Sequence, residues 1–153
     1  MAIQHSAIAD ADRHEPKGAS TAVAGSVYVS DGSASGSWKW QPQALTLDIA
    51  TLNAVADYYL VMPHACTIDK VFTVIDSALA TADKTLTLSI GGTAVTGGVI
   101  TITSAASAAG DIDSCTPTAL NSVTAGGALK IAATGASTGD TRCHITIIYT
   151  RTS

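Results

Sequence analysis

The sequence predicts an all-β protein: a jelly-roll-like antiparallel β-sandwich of about eight strands over residues 41–153, behind an extended N-terminal arm with a small β element over residues 1–40. Three observations carry this. Short runs alternate large apolar residues with Thr, Ser or Asp at a period of two. Gly, Asp, Asn, Ala and Ser punctuate those runs at short intervals. Charged residues make up only 13% while Thr, Val and Ile abound, a balance that suits pleated, half-buried surfaces and argues against disorder.

The strands follow in order. ALTLDIATL (44–52) sets Leu45, Leu47 and Ile49 against Thr46, Asp48 and Ala50. DYYLVM (57–62) is a compact apolar run stopped by Pro63. CTIDKVFTVID (66–76) carries Ile68, Val71, Phe72, Val74 and Ile75, with its alternation slipping near Asp69–Lys70. TLTLSI (85–90) alternates strictly and runs into Gly91–Gly92, a hairpin signal. GVITI (98–102), GDIDS (110–114), ALKIAA (128–133) and RCHITIIYT (142–150) complete the set. Period-2 alternation places Leu86, Leu88 and Ile90 on one inward face and Ile145, Ile147 and Tyr149 on another. An eight-stranded barrel or an immunoglobulin-like sandwich satisfies the same pattern. The one helix candidate is TPTALNSV (116–123), with Thr116 as N-cap and Pro117 at the first helical position; it is short, and an extended loop is the alternative.

Composition narrows the function. A net charge of −4 spread along the chain gives no basic face for nucleic acid. No apolar run reaches the length of a membrane span, and the N-terminus lacks the charged and apolar regions of a signal peptide. A protein made in a cytoplasm is expected. Cys66, Cys115 and Cys143 then read as buried, reduced thiols without disulfides. A metal site joining His64, Cys66, Cys143 and His144 is disfavoured, because Cys143 and His144 are adjacent on a strand and point to opposite faces. Asp111 and Asp113 share a face, yet two carboxylates without further ligands read better as a solvated edge than as a calcium site. No phosphate loop, nucleophile elbow or zinc-protease motif occurs, so neither enzyme chemistry nor a cofactor is expected.

The arm is the unusual part. RHEPKGAS packs both charge signs around Pro16, whose fixed φ stiffens a segment poor in large apolar groups. Beyond it SVYV-SDGSASGS-WKW reads as strand, turn, strand, with Val27, Val29, Trp38 and Trp40 alternating along them. The two tryptophans straddle Lys39 and are expected on opposite sides of their strand.

His14, Glu15, Pro16, Lys17 and Gly18, then Val27, Tyr28, Val29, Asp31, Gly32, Ser35, Gly36 and Trp38, match a pattern of tailed-bacteriophage virion proteins: HEPKG, then VYVA-DG-x-GSG-x-W. The chain thus resembles the capsid cement (decoration) and head-fibre proteins of such phages. The stretch from TIDKVFTVIDS to GGALKI is similar to the sandwich domain of small cement proteins. The resemblance implies a homo-oligomer, commonly a trimer and in some phages a dimer. It would sit on the outer capsid surface, bridge major capsid protein subunits and stabilise the expanded shell. The capsid-binding set expected from it is Arg13, His14, Glu15, Pro16, Lys17, Gly18, Trp38 and Trp40. The chain ends just after its last predicted strand, which favours a compact cement protein over a fibre. The alternatives are a head-fibre base and a virion adhesin or carbohydrate-binding sandwich.

Overall fold

The computed structural model describes residues 22–33 and 36–152 and divides between Gln41 and Pro42 into two compact units. Arg13, His14, Glu15, Pro16, Lys17 and Gly18 lie outside the described residues.

The described part of the first unit is a hairpin. β1 (Val27–Ser30) pairs antiparallel with β2 (Gly36–Lys39), setting Tyr28 opposite Trp38. Turn chemistry is visible where the chain leaves β1. The Asp31 carboxylate accepts the Ser33 N–H at 2.8 Å, the Ser30 hydroxyl accepts the Gly32 N–H at 3.2 Å, and Gly32 has φ +78°. Gly36 is required by close approach, since a Cβ there would stand 2.3 Å from the Val29 carbonyl oxygen.

The second unit is all-β and antiparallel, as the alternation predicts. Its strands are β3 (Gln43–Ile49), β4 (Ala56–Val61), β5 (Cys66–Ile75), β6 (Lys84–Ile90), β7 (Thr93–Ile102), β8 (Ile112–Cys115), β9 (Ser122–Val123), β10 (Ala128–Thr134) and β11 (Cys143–Arg151). One sheet has the order β4-β10-β6-β7. The other runs β3-β11-β5-β8, with β9 also pairing with β5. Inward residues of both sheets form one core. Leu86, Leu88, Leu129, Ile145 and Ile147 are fully buried, and Tyr149 is nearly so, while Ile90 packs against them half-buried.

Local chemistry explains the irregularities. In the β5–β11 ladder Lys70 faces Ile148 but Ile68 faces Tyr149, so Asp69 is the extra residue of a β-bulge, where the alternation slips. Its carboxylate accepts the Thr150 hydroxyl at 2.7 Å. Gly91 and Gly92, with φ +57° and +82°, make the tight β6–β7 turn.

Two expectations need correcting here. β7 begins at Thr93, not at residue 98, because the glycines at 97 and 98 form a bulge inside the strand. Residues 116–123 are an irregular segment, not a helix, with Leu120 at φ +55° and β9 at its end. Thr118 N–H donates to the Thr96 carbonyl at 2.8 Å, and Thr96 N–H to the Ala119 carbonyl at 3.0 Å. These cross-strand bonds satisfy backbone groups that a helix would have had to pair internally. Gly97, at φ +72°, lets this segment approach, since a Cβ there would lie 2.8 Å from the Thr116 carbonyl oxygen.

Candidate functional site

Two surfaces carry the side chains that bear on function, one on each unit. On the hairpin, Trp38 and Trp40 line the same hollow, together with Ala22, Val23, Ser26 and Lys39. The expectation that the tryptophans face opposite ways is wrong for a simple reason. Residues two apart along an extended chain share a face, and Trp38 and Trp40 are both half-buried while the intervening Lys39 is exposed. Trp38 packs edge-on against Tyr28, with ring centroids 5.5 Å apart at 69°. Trp40 lies over Gly25, which has φ +86° and no room for a Cβ, 2.9 Å from the ring. The hollow is about 360 Å³ and mixed in polarity.

On the sandwich, the outward face of the five-stranded sheet is a grid set by register. One row runs Asp48, His144, Val74, Ile112; the next runs Thr46, Thr146, Phe72, Ser114; a third holds Ala44, Ile148 and Lys70. Phe72, Val74, Ile112 and Ile148 line a shallow apolar hollow of about 240 Å³, with His144 and Thr146 at its edge. Ile112 is 66% exposed. His144 Nδ1 lies 2.6 Å from the Asp48 carboxylate, and the Lys70 ammonium sits 4.6 Å from the Phe72 ring centroid. Apolar groups framed by anchored charges suit contact with another protein surface better than chemistry on a small substrate.

Cys66 opposes Arg151 and Cys143 opposes Ile75, eight residues apart along β11, a separation of about 27 Å at strand rise. A shared metal is therefore ruled out for that pair, and no group of three ligating side chains forms among the described residues. All three cysteines are buried and free. Burial pushes the Cys115 thiol up to about 11 and, with help from Asp113, Cys143 up to about 12. Asp113 is raised by burial and then by Asp111, while Ile112 between them points outward. No described helix is long and apolar enough to cross a membrane.

Sequence reasoning missed Lys84. It is fully buried, and its ammonium donates to the carbonyls of Gly135 at 2.7 Å and of Asn53 and Ala54 at 3.4 Å each. Burial lowers its pKa. The one available signal was its place on the inward side of the Leu86–Leu88 alternation.

No family model matches this sequence, and no curated protein shows significant similarity to it. The functional reading therefore rests on the residues themselves.

Proposed function

We propose that this chain is a non-enzymatic structural virion protein that binds the outside of a phage capsid and stabilises the expanded shell by bridging major capsid protein subunits. The observation that carries the reading is the HEPKG…VYVSDGSASGSW segment, the pattern of phage head-associated proteins, joined to a low-charge β-sandwich. The hairpin geometry supports it, because VYVS and GSWK form the paired strands and Asp31–Gly32 start the turn between them. Residues 1–40 act as the capsid-binding arm, and the sandwich oligomerises.

The physical logic needs no catalysis. A protein that binds only the expanded lattice stabilises it by mass action. Ordering an arm on the shell costs entropy but lets a small domain reach several subunits. Repetition over the lattice turns modest contacts into tight attachment. The chain works on the outer capsid surface after synthesis in the host bacterial cytoplasm, without cofactor, nucleic acid or membrane.

One observation favours a second reading. Trp38 and Trp40 line one hollow, as a sugar-stacking platform would require, which suits a virion adhesin. Co-sedimentation with expanded and unexpanded shells of the parent phage separates the two. Saturable binding to expanded shells alone is expected; binding to host-cell glycans with none to shells would favour the adhesin.

A further inference from the structure

On the outward face of the β3-β11-β5-β8 sheet, register sets Asp48, His144, Val74 and Ile112 side by side, one on each strand. His144 thus has a carboxylate on one flank and an apolar hollow on the other. Its Nδ1 lies 2.6 Å from the Asp48 carboxylate, which can only accept, so Nδ1 carries the proton. That bond fixes the tautomer and turns the Nε2 edge away from β3, toward the hollow that the ring helps to line. Nε2 accepts a hydrogen bond when the ring is neutral and donates one when it is protonated. Among the described residues nothing bonds to it.

Phe72, Val74, Ile112 and Ile148 supply the apolar surface, and Ile112, 66% exposed, leaves its side open to an incoming group. At about 240 Å³ the hollow is smaller than the roughly 300–1,000 Å³ of small-molecule and cofactor pockets, and it takes one side chain. Lys70, opposite Ile148, stands four residues along β5 from Val74, about 13 Å away at strand rise. Its ammonium is held 4.6 Å from the Phe72 ring centroid, and no carboxylate among the described residues pairs with it. We propose that the hollow binds a tyrosine side chain of a partner protein, presented by a segment with a carboxylate close by. The ring covers the apolar surface, and a phenol hydroxyl, donor and acceptor both, suits Nε2 in either protonation state. Phenylalanine would leave Nε2 covered and unpaired. A carboxylate on the segment meets the unpaired Lys70, whereas a basic segment is repelled. Binding uses the sandwich alone, so it holds or fails whatever the capsid role of the arm.

The test uses the full-length, isotope-labelled chain, titrated in NMR with the capped peptides DGYGD, DGFGD and NGYGN. DGYGD should shift the signals of Phe72, Val74, Ile112 and His144 saturably. DGFGD and NGYGN should each bind about threefold to tenfold more weakly, one lacking the hydroxyl and the other the carboxylates. His144→Ala, at an exposed position, should erase the preference for DGYGD over DGFGD. Ile112→Ser, also exposed, should weaken all three at least about threefold while circular dichroism stays unchanged. No saturable shift at these residues, equal binding of DGYGD and either analogue, a preference that survives His144→Ala, or unchanged binding by Ile112→Ser would each overturn the proposal.

Discussion

The Lys84 ammonium lies 2.7 Å from the Gly135 carbonyl oxygen, inside the sandwich and with no carboxylate among its bonded partners. It ties the β10–β11 loop to the β3–β4 loop through backbone acceptors. Lys84→Met keeps the bulk but leaves those carbonyls without their donor, so it should cost about 1–3 kcal/mol in chemical denaturation. The pH dependence has a definite sign. The folded pKa is lowered, so the unfolded chain binds more protons between that value and 10.5. Wild-type stability relative to Lys84→Met should therefore rise with pH through that window.

Core packing is tested at Leu88, fully buried and opposite Ile131 on β10. Leu88→Ala should lower stability by about 2–5 kcal/mol, measured by denaturant melts. An unchanged midpoint would mean the inward face is misassigned.

The thiols make the opposite pH prediction from Lys84. Folded Cys143 holds its proton to about 12, whereas the ordinary thiol value is 9.0. Between those values the unfolded state binds fewer protons, so stability falls as pH rises. Cys143→Ala should flatten that alkaline decline in pH-dependent melts. In native protein near neutral pH, Cys115 and Cys143 should resist a thiol reagent that labels them readily in denaturant.

Much of the fold was legible because a half-buried strand writes its two faces into alternate residues. Leu45–Leu47–Ile49 and Ile145–Ile147–Tyr149 read directly, and even the Asp69 bulge showed as a slip in phase. Residues 116–123 misled because Thr116–Pro117 is a good local helix start. The competing partner, Thr96, is distant in sequence, and such pairing has no local signature. Lys84 escaped notice for a related reason: its carbonyl acceptors come from two remote loops. The paired outlook of Trp38 and Trp40 was legible from their spacing alone. The outer grid of Phe72, Val74 and Ile112 needed the strand order of the sheet.

The arm is tested by charge reversal. If Lys17 is held in a partly desolvated groove of the capsid, its charge-assisted hydrogen bond contributes on the order of 1.5–3 kcal/mol. Lys17→Glu should sharply lower occupancy on shells, with little dependence on salt, while the melt of the free protein stays nearly unchanged. Wild-type occupancy would mean that the sandwich alone grips the shell.

The most direct test of the capsid role is the thermal disassembly temperature of purified expanded shells lacking this protein, measured as the protein is added. Binding to the expanded lattice at a hundredfold excess over Kd stabilises each site by about 2.7 kcal/mol, so the disassembly temperature should climb with occupancy and then plateau. A disassembly temperature that stays fixed at saturating protein would contradict the account.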